Sequence, residues 1–71
     1  MPANVLVIVD AVTQDVLRVV VPDNDAQLDK VTFHGDGEEF ARIGYEVFEA
    51  TSDLRKLKAV AVGEILRRRR L

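Results

Sequence analysis

The stretch "NVLVIVDAVTQDVLRVVVP", Asn4 to Pro22, decides the fold. Its two arms, Asn4 to Val9 and Asp15 to Pro22, are dominated by β-branched apolar residues, which fit a pleated, half-buried surface. Pro22 ends the second arm because proline has no N–H to donate to a ladder. The polar connector "DAVTQD" between them is of hairpin length. The spacing predicts an antiparallel β-hairpin. Alternation along a strand sets Val5, Val7 and Val9 against Leu6 and Ile8, and Leu17, Val19 and Val21 against Val16, Arg18 and Val20. Both faces are therefore largely apolar, whereas a sheet with one wet face alternates cleanly. Each face needs a cover. A chain this short is expected to supply one, leaving the other to a second copy or a different protein. Leu6, Ile8, Leu17 and Val19 are the residues expected to include those buried between chains.

Downstream, "PDNDAQLD" (Pro22 to Asp29) reads as a short helical turn to Leu28, capped by Asp23 or Asn24. Asp23, Asp25 and Asp29 have a spacing faintly like a calcium loop, but the glycine and the bidentate glutamate of an EF-hand are missing. "KVTFHGDGEEF" reads as a short strand, a turn at Gly35-Asp36-Gly37 and a new element. Two readings of that element compete. In one, Glu38 to Ile43 is a returning strand, with Phe40 opposite Phe33, followed by a helical turn through "YEVFEA". In the other, Asp36 and Glu39 form a capping box for a helix carrying Phe40, Ile43 and Val47. Gly44 disfavours one unbroken helix, so the strand reading is preferred. The last segment is expected to be a helix capped by Thr51 or Ser52, with Leu54, Leu57, Ala61 and Ile65 on its apolar stripe.

The 71 residues hold no internal repeat and no linker, so residues 1–71 are expected to form one small α+β domain. The expected architecture is an antiparallel sheet, the N-terminal hairpin plus one or two further strands, with a C-terminal α-helix across one face. A domain of this size buries only about 60% of its unfolded surface. The absence of cysteine excludes disulfides and thiolate metal sites and fits a reducing compartment. No run approaches the roughly 20 apolar residues of a membrane span, and "MPANVLVIVD" lacks the marks of a signal peptide. A mature soluble chain without membrane contact is expected.

Little points to chemistry. His34 is the only histidine and lies beside the Gly-Asp-Gly turn, where a solvated surface role is the simpler reading. The single serine, Ser52, is better used as a cap, and no nucleophile elbow or phosphate loop is present. Adjacent Glu38 and Glu39 point apart in a strand. Neither an enzyme nor a cofactor or metal site is expected.

Charge is the remaining signal. Met1 to Asp53 carries eleven acids against three bases, a net of −8, while Leu54 to Leu71 carries seven bases against one acid, a net of +6. The basic end, residues 67–71, includes Arg67, Arg68, Arg69 and Arg70. These arginines are expected to dock on acidic protein surface, in another copy or in a larger assembly protein, because guanidinium binds carboxylates bidentately. Contact with nucleic-acid phosphate is the competing use. It is disfavoured by the acidic body and by aromatics that sit among acids, as in "GEEFARIGYEVFEA". A third reading leaves the arginines as a solvated helix end that complements the helix dipole, and a fourth has the two halves of the chain attract each other within the fold.

The outline of "VIVDAVTQDVLRVVVPDNDAQLD" (apolar strand, polar turn, a strand ending Val-Pro-Asp, then Asp-x-x-Leu) resembles small uncharacterised proteins encoded among virion genes of tailed bacteriophages and prophages. It spans the first third of the chain. The resemblance implies a virion or host-cytoplasmic structural accessory, such as a capsid cement, neck or tail component, and carries no catalytic residues. The expected function is thus non-enzymatic assembly through protein–protein contacts. The alternative is a small regulator or inhibitor that binds nucleic acid or a nucleic-acid-binding partner.

Overall fold

A computed structural model describes residues 2–30, 37–51 and 53–69. Strand β1 is Asn4–Asp10, β2 is Val16–Val20, a 3-10 segment spans Asp25–Lys30, β3 is Glu38–Gly44, and helices α1 and α2 are Tyr45–Ala50 and Leu54–Arg69. The strands form one sheet in the order β2-β1-β3, antiparallel throughout. The chain is an α+β domain with a three-stranded antiparallel sheet and a C-terminal helix, as the hydrophobic pattern requires. The expected strand and pairing at Val31 to Phe33, and the turn at Gly35-Asp36, lie outside the described residues.

Between Glu38 and Ala50 the strand reading is correct. β3 pairs along its whole length with β1, from Asn4 opposite Gly44 to Asp10 opposite Glu38. Continuous pairing with the most apolar strand outweighs the weak capping-box signal, and Gly44 marks the change from strand to helix α1.

The hairpin is less regular than alternation implies. Gln14 adopts a left-handed backbone, φ 66°. Gln14 N–H donates to the Asp10 carbonyl at 2.8 Å, and Asp10 N–H donates to the Asp15 carbonyl at 2.8 Å. Two residues thus oppose one, the bulge that normally takes glycine at its first position. The Asp10 carboxylate closes the turn by accepting from Val12 N–H and Thr13 N–H at 2.8 and 2.9 Å. A further one-residue shift follows, since Ile8 pairs with Arg18 but Val9 pairs with Val16. Leu17 is the extra residue. Val16 and Val19 consequently share the helix-covered face, where strict alternation had placed them apart.

Two cores result, one on each face of β1. Val5, Val7 and Val9 join Ala41 and Ile43 of β3 and Leu57, Ala61 and Ile65 of α2. On the opposite face Leu6 and Ile8 are buried with Leu28 of the 3-10 segment, against which Val20 also packs. Asp25 holds that segment in place: its carboxylate accepts from Ala3 N–H, Asn4 N–H and the Asn4 amide at 3.1–3.2 Å. The single chain therefore covers both faces of its central strand. The expectation that one face of the hairpin waits for another chain is corrected for β1, because Leu28 arrives on it from the short helical turn, to which no covering role was assigned.

Helix α2 also departs from expectation at its start. Asp53 Oδ1 accepts from Lys56 N–H at 2.8 Å and is the N-cap. Thr51 instead closes α1, donating its hydroxyl to the Phe48 carbonyl at 2.6 Å. Leu54 falls outside the buried stripe and is exposed, at the rim of a groove it shares with Asp15 and Val16.

Candidate interaction surface

Hydrogen bonding identifies which main-chain groups face out. Tyr45 N–H donates to the Ala3 carbonyl and Ala11 N–H to the Gly37 carbonyl, both at 2.8 Å, bracketing the β1–β3 ladder. In an antiparallel pair hydrogen-bonded and non-bonded positions alternate. Odd-numbered residues of β1 therefore bond β3, and even-numbered residues bond β2. On β2 the groups of Arg18 and Val20 turn inward, and those of Val19 turn outward to the sheet edge. Among the described residues no strand pairs with that edge.

The side chains beside this edge are apolar and uncovered. Leu17 is 50% exposed, Val21 49% and Leu54 69%. A shallow groove adjoins the start of β2, lined by Asp15, Val16, Leu54, Arg55 and Lys58. Lys58 Nζ lies 3.1 Å from Asp15 Oδ1. That contact, helped by a hydrogen bond from Thr13, holds the Asp15 carboxyl below its ordinary pKa. Arg18, the one charged residue within β2, is directed away from the helix side and meets Glu38 Oε2 at 3.3 Å.

The other edge, β3, is dressed differently. Arg68 stacks over Phe40, 4.4 Å from guanidinium carbon to ring centroid. Arg69 pairs with Glu39 on the same strand, and Arg67 pairs with Glu64 one turn back along α2. The Arg67 contact lowers the Glu64 pKa and raises that of Arg67. Lys58–Asp15 and Arg69–Glu39 together pin α2 across the sheet, from the β2 side to the β3 side. The reading in which the two charged halves attract each other within the fold describes Arg69. Arg70 lies outside the described residues.

The eight residues singled out from sequence thus separate. Leu6 and Ile8 are buried inside the chain and offer no surface. Val19 is half-buried against the helix-side core, with its main chain at the edge. Leu17 is exposed at that edge. Arg67, Arg68 and Arg69 have partners within the chain. Sequence reasoning missed Val21 and Leu54 as surface residues. Pro22, directly after Val21, was a usable signal that the strand ends there with its last apolar side chain uncovered. Leu54 had no such signal.

Compared with protein-family models, curated proteins and solved structures, the chain gives no match in any of the three.

Proposed function

We propose that this protein is a non-enzymatic assembly protein that works through protein–protein contacts. The observation that carries the reading is the β2 edge, where outward-facing main-chain groups run beside Leu17, Val21 and Leu54. Exposed strand edges are templates for another chain, and proteins that do not use them blunt them with charge or cover. Here β3 carries the Arg68 and Arg69 contacts, whereas the one arginine of β2, Arg18, reaches across to Glu38. The N-terminal resemblance supplies the specific form of the proposal, a structural accessory of a tailed-phage virion. Mass measurement in solution tests it, on the purified chain alone and after mixing with the proteins of the neighbouring genes. A complex with one of them, weakened by Leu17→Lys, is expected. If neither self-association nor such a complex forms, and DNA or RNA binds tightly instead, the reading is wrong and the regulatory alternative takes its place.

A further inference from the structure

We propose that the last turn of α2 is a guard on the β3 edge: Arg68 and Arg69 clasp that strand and keep another strand from pairing with its outer side. The inference goes beyond the assembly reading above and concerns the opposite edge of the sheet. The β1–β3 register turns the main-chain groups of Glu39, Ala41 and Ile43 towards β1 and those of Phe40 and Arg42 outward. Among the described residues no strand pairs with that outer side. A row of outward N–H and carbonyl groups is a template for a further strand unless something covers it.

The two arginines meet β3 through side chains rooted on opposite faces of the sheet. Glu39 pairs with Val9 and shares the face that α2 covers, where Arg69 reaches its carboxylate. Phe40 pairs with Ile8, so its side chain springs from the other face, the one that Leu28 covers. Arg68 stands on α2, yet its guanidinium carbon lies 4.4 Å from the centre of the Phe40 ring. A contact between groups rooted on opposite faces closes across the outer edge of the strand, beside the outward main-chain groups of Phe40. An arriving strand would lie about 4.8 Å from β3 in the plane of the sheet. That is the space the Arg68–Phe40 contact crosses, so a docking strand must first displace it. Arginine suits the task. It stays charged across the working pH range, and its planar head lies on the ring while its stem covers apolar surface. Arg69, held by Glu39 on the helix side, anchors the same turn of α2 over the strand. Arg67 takes no part, because it is drawn back along the helix to Glu64.

Replacing Arg68 and Arg69 together by glutamine removes both contacts and leaves the two cores intact, so circular dichroism of the double variant should match the parent. In sedimentation velocity the double variant should associate at concentrations roughly tenfold below those the parent needs, because an arriving strand no longer displaces a stack and an ion pair each worth about threefold. Adding Arg42→Pro should restore the parent's behaviour. The Arg42 N–H points outward, so proline there costs no bond to β1 and blocks a new strand. Phe40→Lys in the same double variant supplies an equivalent block by charge, should proline bend the strand. A double variant that keeps the parent's mass at every concentration overturns the proposal. So does association that survives both blocks, because it then lies elsewhere on the molecule. A parent whose own association is weakened by Arg42→Pro overturns it too, since β3 would already be in use.

Discussion

Replacing Ile8 by alanine tests whether this chain covers its own second face. Ile8 is 0% exposed, within the cluster formed with Leu6 and Leu28. The substitution removes three carbons, worth about 0.8 kcal/mol each by transfer, and the cavity left behind adds to that. A loss of about 3–4 kcal/mol is expected, against a total of about 3.5–10 kcal/mol for a domain of this length. With a urea dependence of about 1 kcal/mol/M, low in the small-protein range, the midpoint should fall by about 3 M. Ile8→Val should lose about 1 kcal/mol and grade the effect. Because the cover comes from Leu28 of the same chain, the loss relative to the parent should be unchanged over a roughly hundredfold range of protein concentration. Leu28→Ala should couple to Ile8→Ala by more than about 0.5 kcal/mol, as residues in contact do. A loss below about 1 kcal/mol, or one that grows with concentration, would show that Ile8 is covered from outside the chain and would refute the reasoning.

Gly63 lies inside α2, and a methyl group added there meets no atom within 4 Å. Gly63→Ala should therefore stabilise by about 0.5–1 kcal/mol, raising Tm by several degrees; an unchanged or lower Tm would contradict that open helix face. Hydrogen bonds from Thr13 N–H and Val12 N–H hold the Asp10 carboxyl below its ordinary pKa. A depressed folded-state value stabilises the fold above about pH 4 and loses that contribution as pH falls through the folded value. Asp10→Asn keeps the acceptor oxygen without the charge, so thermal melts of parent and variant should begin to approach each other below about pH 4 and converge as pH falls through the folded value. Replacing Arg68 and Arg69 together by glutamine removes the Phe40 stack and the Glu39 pair. The cost should be about 1 kcal/mol in low salt and less in high salt, read from urea midpoints at both.

Much of this fold is visible in local chemistry. The β-branched runs give the hairpin, Gly44 divides β3 from α1, and the four-residue spacing of Leu57, Ala61 and Ile65 gives the buried stripe of α2. These features are set by the backbone period of each element, so a short window of sequence contains them. The sequence also shows that both faces of the hairpin need cover, but not by what. Leu28 covers Ile8 across a separation of twenty residues, and only the path of the chain between them decides that. The bulge at Leu17 is likewise tertiary: one extra residue brings Val16 and Val19 onto the same helix-covered face, whereas alternation alone keeps them apart. The arginine tail shows the same division. Its composition announces a need for acidic partners, and Arg69 finds one in Glu39 because α2 happens to end beside β3. Charge pattern specifies what a group can bind. Which of many acids it reaches depends on where the sheet and helix place both ends, and that is determined by packing over the whole chain.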